Sequence, residues 1–433
     1  MIDINIIRRD PEMVKAKSLQ KGYEVDIDRI LKLDQAKNKL LTDIEDLRHQ
    51  RKELSNLSED RQKPTEESIQ QSKELKRKIV QQEEQYSKIE LELDQYLRKI
   101  PNLPLQSVPV GKSETENKVI RKVGDIPVFD FEVKSHAEIA EAKDWLDKKR
   151  AAKVAGSRFN YVKNGLVKLQ FALINFVIDN LSSEEVIKKI ITENNLKLDP
   201  KPFIPIIPPA LIRTSLYEDS ARLDAEEVTY KIEQDDLWLN ASAEHSLCVM
   251  YQNEILAKSE LPIRYIGYST SFRREAGSYG KDMEGMFRSH QFDKLEMEVF
   301  SAADHGLDEH LLLIAIEEYL MQALKLPYQV LEKCTADIGF PNAKGVDIEC
   351  WLPSQKTYRE THSADYMTDF QARRLKTRYR NTNDEIEYVH TNDATAIPMS
   401  RIPIAILENY QTKDGEVLIP EILQPYLQNK RVL

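Results

Sequence analysis

The chain is poor in cysteine, in glycine and in long apolar runs. Its three cysteines, Cys248, Cys334 and Cys350, lie far apart and form no CxxC pair, so neither a disulfide scaffold nor a cysteine-built zinc site is expected. No apolar run is long enough to span a bilayer, and the first residues lack the features of a signal peptide or of an Arg/Ser-rich leader. We therefore expect no membrane segment and a cytoplasmic location.

The composition indicates a folded protein with more than one domain. With 13 glycines, 19 prolines, 41% hydrophobic and 31% charged residues among 433, the chain differs from disordered, collagenous and low-complexity proteins. Its length exceeds that of one compact core, so we expect two or three domains. The net charge of −10 argues against broad, nonspecific binding of nucleic acid, and a polyanion would have to bind through local basic patches.

A heptad pattern runs through residues 26–100. Apolar residues recur at alternating spacings of three and four, and charged residues fill most positions between them. The apolar positions are Ile30, Leu33, Leu40, Ile44, Leu47, Leu54, Leu75, Ile79, Tyr86, Ile89, Leu93, Tyr96 and Ile100. A turn-rich interruption ends at Pro64, which favours two helices that fold back as an antiparallel hairpin. A long parallel homodimer is the alternative.

Prolines mark the end of this hairpin. Pro101, Pro104 and Pro109 are followed by a polar segment, which predicts a linker over residues 104–130. The linker would separate a helical arm, residues 1–103, from a domain formed by residues 131–433.

The second domain alternates between helix and strand signals. Apolar patterns predict helices over residues 164–181 and 307–326, with a proline-rich stretch, 200–209, between them. Later segments alternate between apolar and polar residues, as in antiparallel strands that have one apolar face. We therefore predict an α+β fold, in which an N-terminal antiparallel helical hairpin precedes a mainly antiparallel sheet flanked by helices.

Two predicted strands have unusual polar faces. Side chains alternate along a strand, so Leu295, Met297 and Val299 face one way and the residues between them face the other. That second face carries Arg288, His290, Phe292, Lys294 and Glu296. In 345–352 the residues opposite the apolar positions are Asp347, Glu349 and Trp351. Such faces suit a charged ligand that carries a flat ring, although ordinary amphipathic strands show the same alternation.

Arg273 and Glu275 form a further candidate pair. They are two residues apart and would share one side of a strand. A loop follows that contains Gly277, Gly280 and Gly285. Two strands joined by such a loop suit a nucleotide, because an arginine binds phosphate, a carboxylate accepts from an exocyclic amine and a phenyl ring stacks on a base. Taken alone, Arg-x-Glu is common on surface strands.

The surrounding sequence carries a family resemblance. FRREAGSYGKDMEGMFRSHQFDKLEM, residues 272–297, resembles motif 2 of class II aminoacyl-tRNA synthetases, in the form seen in bacterial-type seryl-tRNA synthetases. The resemblance continues in DIECWLPSQKTYRE at 347–360, TDFQARR at 368–374 and AILENYQTKDGEVLIPEILQPYL at 405–427. The N-terminal hairpin takes the place of that family's tRNA-binding arm, and the rest implies a class II catalytic domain.

The resemblance implies an ATP site. Arg273 would hold the serine carboxylate and the α-phosphate, and Glu275 would accept from the adenine amino group. Phe292 would stack on adenine, and Arg401 would bind the terminal phosphates from motif 3. Arg273, Glu275 and Arg401 are thus the implied catalytic residues. The other implied ATP-binding residues are Arg274, Arg288, Glu360, Thr361, His362 and Ser363. Glu360 and Ser363 also match the pair that positions Mg²⁺, an ion that prefers hard oxygen ligands.

The same resemblance implies a serine site. Ser242-Ala243-Glu244 stands where the family usually has Thr-Ala-Glu, and Glu244 and Glu296 would share the ammonium and the hydroxyl of serine. Sequence does not say which carboxylate takes which group. The implied serine-binding residues are Ser242, Ala243, Glu244, Arg273, Glu296, Asp393 and Thr395.

Some residues depart from the family pattern near this serine site. Asp393-Ala394-Thr395 replaces the usual Asn-Gly-Ser, so that a negative charge is added beside the amino acid. Ser400 replaces a glycine, and Pro398 adds rigidity. After Glu360, substitutions occur at His362, Ala364, Asp365 and Tyr366.

The implied function is that of a serine–tRNA ligase. It would activate L-serine with ATP to seryl-adenylate and transfer serine to tRNA(Ser), which the arm would bind by shape and backbone. Basic clusters on the arm comprise Arg48, Arg51, Lys52, Lys73, Lys76, Arg77 and Lys78. Pro209 matches the motif 1 proline at a dimer interface, which implies a homodimer. Two alternatives stay open: a paralogue with altered amino-acid or acceptor specificity, and a catalytically inactive RNA-binding relative.

Overall fold

The computed structural model divides the chain into two compact units, Met1–Leu103 and Pro104–Leu433. It describes residues 1–59, 65–223, 229–275 and 285–433. Pro64, Gly277 and Gly280, which enter the predictions above, lie outside these residues. In the described part of the chain, no helix combines the length and the hydropathy needed to cross a membrane.

The first unit is helical. Its helices are α1 (Ile4–Arg9), α2 (Pro11–Gln20), α3 (Ile27–Glu59) and α4 (Glu66–Leu97). The long helices α3 and α4 run antiparallel, because Arg29 pairs with Glu92 and Arg48 pairs with Glu83. Heptad residues such as Ile44 are buried between them. The predicted antiparallel hairpin is therefore confirmed.

Strands and helices alternate through the second unit. The helices are α5 (His136–Ala142), α6 (Lys148–Ala155), α7 (Asn164–Leu181), α8 (Glu184–Glu193), α9 (Thr214–Asp219), α10 (Glu244–Leu247), α11 (Gly306–Ala323), α12 (Phe370–Leu375) and α13 (Ile402–Asn409). The first eight strands are β1 (Lys118–Val123), β2 (Leu146–Asp147), β3 (Tyr161–Val162), β4 (Ile204–Ile206), β5 (Leu211–Arg213), β6 (Lys231–Ile232), β7 (Leu237–Leu239) and β8 (Ile255–Ala257). The remaining strands are β9 (Ile263–Phe272), β10 (Gln291–Ser301), β11 (Tyr328–Glu332), β12 (Lys344–Leu352), β13 (Thr357–Thr368), β14 (Arg378–Arg380), β15 (Ile386–Tyr388) and β16 (His390–Pro398).

The large sheet has eight strands in the order β1-β11-β12-β13-β16-β10-β9-β4. Neighbouring strands are antiparallel except for β4 and β9, which are parallel. Leu295, Met297 and Val299 of β10 are fully buried in a core that also includes residues of α7, α11 and α13. The helices therefore cover the apolar face of the sheet, and the predicted α+β fold with a mainly antiparallel sheet is confirmed.

The stretch 104–130, predicted as a linker, contributes strand β1 to the edge of this sheet. β1 pairs antiparallel with β11, from Lys118 opposite Glu332 to Val123 opposite Tyr328. All but the last of its residues are exposed, so the strand lacks the apolar alternation by which a sequence pattern reveals a strand.

A buried ion pair joins the helix layer to the sheet. Arg264 of β9 donates Nε and Nη2 to Glu309 of α11 at 2.9 and 2.7 Å, and both side chains are fully buried. The same guanidinium donates Nη1 to the carbonyl oxygens of Asp199 and Lys201, which precede β4. One side chain therefore fixes α11, β9 and the approach to β4 together.

We expect Arg264→Met to lower the free energy of unfolding by roughly 3 kcal/mol, because it leaves Glu309 as a buried, unpaired carboxylate. Urea unfolding followed by circular dichroism measures this change. The matched control is Lys325→Met, which breaks the exposed pair with Glu421 and should leave the unfolding midpoint nearly unchanged. Equal effects of the two substitutions would contradict the assigned role.

Candidate active site

A pocket lies on the polar face of the sheet, where β10, β16 and β13 lie side by side. Side chains from these strands, from α10, and from the segments around Arg222, Arg273, Phe340 and Arg401 surround it. The lining residues are Ala221, Arg222, Ala241, Glu244, His245, Arg273, Glu275, Phe287, Arg288, Ser289, Phe292, Lys294, Glu296, Gly339, Phe340, Pro341, Glu360, Thr361, Ser363, Asp365, Asp393, Thr395, Pro398, Ser400 and Arg401.

Arg273 follows directly after β9, and its backbone continues the pairing with the chain before β10. Its amide donates to the carbonyl of His290 at 3.0 Å, and its carbonyl oxygen lies 2.9 Å from His290 Nδ1. The guanidinium stands over the ring of Phe292, 5.3 Å from its centre, and donates Nε to the carbonyl of Ala241. The arginine is thus held at the pocket from both sides.

Glu275 lies beyond the end of β9, so the predicted strand position does not apply to it. Its backbone is in the left-handed region with φ of 48°, and its carbonyl accepts from Arg158 at 2.7 Å. Its carboxylate lies 3.3 Å from Arg288 Nη1. Despite the lost strand geometry, Arg273 and Glu275 both face the pocket.

Arg401 and Glu360 form another pair that lines the pocket. Arg401 Nη1 lies 3.1 Å from Glu360 Oε1 and donates to the Glu360 carbonyl at 2.7 Å, and its guanidinium stands over Phe287 at 5.1 Å. Burial opposes ionisation of Glu360, but Arg401, Lys333 and Arg273 outweigh it and lower the pKa of this carboxyl. Glu360 is therefore ionised at neutral pH.

A β-bulge brings Glu360 and Ser363 to the same face. Glu349 pairs with Glu360 and Ile348 pairs with His362, so Thr361 is the extra residue on β13. Without the bulge, residues three apart would point to opposite faces. An ionised carboxylate and a hydroxyl that share the pocket wall are the hard oxygen donors that Mg²⁺ prefers, so these two residues fit that ion. Ser363 Oγ accepts from Lys333 at 3.0 Å.

The other end of the pocket is built by α10. Gly267 of β9 permits the close packing of this helix, because a Cβ there would lie 2.8 Å from Leu247 and 3.2 Å from Ala243. α10 presents Glu244, which is nearly buried and whose Oε2 has no hydrogen-bond partner among the described residues. Burial opposes its ionisation, but Lys294, His245 and Arg222 hold the pKa of Glu244 well below its usual range.

Glu296 differs from Glu244 in its proton affinity. Lys294 Nζ lies 2.5 Å from Glu296 and 3.2 Å from Ser242 Oγ, which in turn lies 3.5 Å from Glu296. Burial raises the pKa of Glu296 well above its usual range, and Glu244 adds to this shift while Lys294 opposes it. The two carboxyl groups at this end therefore have opposite tendencies to ionise.

Three acidic side chains form a row across neighbouring strands, which we call the acidic row: Asp365 and Asp393, which line the pocket, and the buried Glu298. Asp393 of β16 is paired in register with Asp365 of β13 and with Glu298 of β10. Arg222 forms an ion pair with Asp393, and Lys333 lies 3.2 Å from Asp365. Burial raises the pKa of Asp393, and the ion pair with Arg222 opposes this shift and favours the ionised form.

Glu298 forms no ion pair with any residue that the structure describes, although Arg222 acts on it from a distance. It is fully buried, and neither carboxyl oxygen has a hydrogen-bond partner among the described residues. Burial, reinforced by Asp393, raises the pKa of Glu298 well above its usual range. Burial therefore favours the protonated form of this carboxyl group.

The structure brings most of the predicted site residues to one pocket. These are Glu244, Arg273, Glu275, Arg288, Phe292, Glu296, Glu360, Thr361, Ser363, Asp393, Thr395 and Arg401.

Arg274, Ser242, Ala243 and His362 do not line the pocket. The exposed Arg274 stands over the ring of Tyr230, whereas Ser242 and Ala243 are fully buried, Ser242 behind Lys294 and Glu296.

A direct contact of His362 with ATP does not fit its position. The bulge turns His362 into the core, where Nδ1 lies 2.9 Å from Thr361 Oγ1 and burial lowers its pKa to about 3.

Several lining residues have no assigned role in the sequence predictions. Lys294 is predicted on the polar face of β10, but without a role of its own. Asp365 was noted as a substitution without a role. Arg222 and Phe340 lie in irregular segments, where no periodic pattern indicates the direction of a side chain.

The fold and the pocket define a class II aminoacyl-tRNA synthetase. The sequence profile of the tRNA synthetase class II core domain (G, H, P, S and T) matches residues 229–410, and that of the seryl-tRNA synthetase N-terminal domain matches residues 1–104. Serine–tRNA ligase of Pyrococcus furiosus is 42% identical over all of this chain and 98% of its own length. The chain belongs to the serine–tRNA ligase family, as its motif 2 segment indicates.

Solved structures agree with this assignment. The crystal structure of seryl-tRNA synthetase from Pyrococcus horikoshii complexed with ATP has a TM-score of 0.87 and 37% identity, and the alignment covers 100% of this chain and 99% of that one. Cytoplasmic serine–tRNA ligase from Naegleria fowleri in complex with AMP has a TM-score of 0.84 and 28% identity, with 100% and 98% coverage.

We expect Glu298→Gln to gain stability relative to the wild type as pH rises. The folded protein keeps a proton on Glu298 that the unfolded chain releases above its ordinary pKa near 4.5, so the wild type loses stability with increasing pH above that value. Glutamine cannot ionise and avoids this loss. Urea unfolding at about pH 5 and about pH 8 measures the difference; a variant that gains nothing between the two would show that Glu298 is ionised in the folded state.

Proposed function

We propose that the protein is a serine–tRNA ligase, which joins L-serine to tRNA(Ser) at the expense of ATP. The observation that carries this proposal is the polarity of the pocket. Arg273 and Arg401 offer cationic groups for phosphate, and Glu244 offers an ionised carboxylate, of which one oxygen lies 3.4 Å from His245 Nε2 and the other has no hydrogen-bond partner among the described residues, for an ammonium. The names of the relatives in the same family support the assignment.

ATP would lie against Phe292 and between the arginines. Phe292 would stack on adenine and Glu275 would accept from its amino group, while Arg288 holds the Glu275 carboxylate in place. Arg273 would bind the α-phosphate and Arg401 the terminal phosphates. Mg²⁺ would be held by Glu360 and Ser363, and it would neutralise charge on the phosphates when bound.

Serine would occupy the end of the pocket at α10. Glu244 is the better partner for the ammonium, because it is ionised and one of its oxygens accepts no hydrogen bond among the described residues. Glu296 is the better partner for the hydroxyl, because its raised pKa allows it to accept or to donate. A site that hydrogen-bonds the hydroxyl rejects alanine by leaving these buried groups unpaired.

Two displacement steps would follow. An oxygen of the serine carboxylate attacks the α-phosphorus, the bond to the bridging oxygen of the β-phosphate breaks, and pyrophosphate leaves. Arg273 stabilises the charge that develops at the α-phosphate. A hydroxyl of the terminal ribose of tRNA then attacks the seryl carbonyl and releases its proton to solvent, the bond between the carbonyl carbon and the phosphate oxygen breaks, and AMP leaves. Most of the acceleration would come from positioning and charge stabilisation.

The arm would bind the tRNA, and the chain would act as a cytoplasmic homodimer. Basic side chains on α3 and α4 are exposed, among them Arg51, Lys52, Lys76 and Arg77, and they suit contacts with phosphate. Pro209, at the motif 1 position, would lie at the dimer interface.

Altered amino-acid specificity is the second candidate function, and Asp393 favours it. This carboxylate lines the pocket at a position where the family usually has an amide. Pyrophosphate–ATP exchange with serine, threonine, alanine, glycine and cysteine separates the two candidates: strongest exchange with serine supports the first, and strongest exchange with another amino acid supports the second. A folded protein that exchanges with none of them overturns both.

Arg273→Ala should reduce serine-dependent pyrophosphate–ATP exchange by at least about a hundredfold, because the developing charge at the α-phosphate loses its guanidinium. The control is Arg431→Ala, an exposed arginine outside the pocket, which should exchange at the wild-type rate. Near-normal exchange by the Arg273 variant would refute the role of this residue.

Replacing the exposed bases Lys73, Lys76, Arg77 and Lys78 of α4 with glutamine should weaken tRNA charging and spare amino-acid activation. Lost phosphate contacts should raise the KM for tRNA by about tenfold and make it less dependent on salt. Lys188 and Lys189, exposed on α8, provide the control pair when changed to glutamine. Equal losses in exchange and in charging would mean that these bases support the fold instead.

A further inference from the structure

Arg222 lines the serine end of the pocket, although neither the sequence predictions nor the comparisons give it a role. It follows α9, and its guanidinium forms an ion pair with Asp393 and lies 3.6 Å from the sulfur of Met367. Both members of the pair are largely buried, with 14% and 5% of their side chains exposed. A buried Arg–carboxylate pair in a ligand pocket constrains which charges a ligand can meet there.

The acidic row explains why a cation is needed at this position. Asp393 has an acidic cross-strand neighbour on each side, Asp365 and Glu298, and like charges placed directly opposite each other destabilise a sheet. Lys333 lies 3.2 Å from Asp365, and burial favours the protonated form of Glu298. Arg222 is the cation that pairs with Asp393.

Asp393 also competes with Glu244. Both carboxylates line the pocket, so an ammonium could pair with Asp393 instead of Glu244 unless Asp393 is neutralised. Arg222 neutralises Asp393 and leaves Glu244 with an unpartnered oxygen among the described residues.

We propose that Arg222 is a positioning residue for the amino acid: by pairing with Asp393, it directs the substrate ammonium to Glu244. This inference rests on the proposed function and concerns a residue to which that function assigns no role. It also explains how an aspartate is accommodated where the family usually has an asparagine.

The test compares three variants of the full chain in pyrophosphate–ATP exchange, with the amino acid that the wild type activates best. Arg222→Met removes the charge at similar length, leaves Asp393 to draw the ammonium away from Glu244, and should raise the KM for the amino acid by about tenfold or more. Asp393→Asn leaves Arg222 free to pair with Glu244 and should raise the same KM.

The double variant, Arg222→Met with Asp393→Asn, removes both charges and should recover to within about threefold of the wild type, since the charges act as a coupled pair. In all three variants the KM for ATP should stay within about twofold of the wild-type value, because neither residue lies at the nucleotide end. A merely structural role would change the thermal midpoint and both KM values together.

Arg121→Leu is the matched control, because it breaks an Arg–carboxylate pair with Glu318 outside the pocket and should leave both KM values unchanged. An unchanged amino-acid KM in Arg222→Met, or a double variant no better than Arg222→Met alone, overturns the proposal.

If Arg222→Met fails to fold, Arg222→Lys replaces it. Lysine keeps the charge but loses the planar fork, and this variant should raise the amino-acid KM less than Asp393→Asn does. A lysine variant at least as impaired as Asp393→Asn also overturns the proposal.

The exchange activity of the wild type shows whether the inference or the proposed function has failed. A wild type that exchanges with no amino acid overturns the function, whereas an active wild type with insensitive Arg222 variants overturns only the inference.

Discussion

Repulsion among buried carboxylates is the constraint on which the pocket depends. Asp365, Asp393 and Glu298 lie in register on three adjacent strands, where like charges oppose folding. The chain relieves this repulsion with Lys333 at one end, Arg222 at the centre and a retained proton at the other end. The surrounding structure, including the segment after α9 and the strand β11 that leads to Lys333, supplies the cations.

Two glycines leave room for close contacts at the pocket: Gly345 beside Lys333 and Asp365, and Gly267 beside α10. Gly345 of β12 is the register neighbour of Asp365, and a Cβ there would lie 2.4 Å from Lys333 Cε and 2.7 Å from an oxygen of Asp365. Gly267 plays the equivalent part beneath α10. Both glycines lie in the sheet, where their usual cost in backbone entropy is offset by the close approach of a charged group or a helix. The shape of the site therefore depends on the lack of a side chain at these two positions.

Local patterns in the sequence predicted those elements whose burial repeats regularly. The heptads defined α3 and α4, the apolar run over 164–181 matches α7, and alternation identified the face of β10 that lines the pocket. Contacts between distant segments have no such signal. Arg222 and its partner are 171 positions apart, and β1 escaped detection because an exposed edge strand has no apolar period. The resemblance to a known family supplied the roles that periodicity could not, and its residue-by-residue transfer failed where the bulge turned His362 into the core.

The bulge at Thr361 has a consequence for how this strand can change. Before the bulge, even-numbered residues of β13 such as Glu360 face the pocket. After it, odd-numbered residues such as Ser363 do. Loss or gain of one residue between Glu360 and Ser363 would send one of these side chains through the sheet to the helix side, even with both identities retained. A change in length between Glu360 and Ser363 would therefore alter the pocket more than a substitution at Thr361 would, and the number of residues between these two oxygen-bearing side chains is as important as their identities.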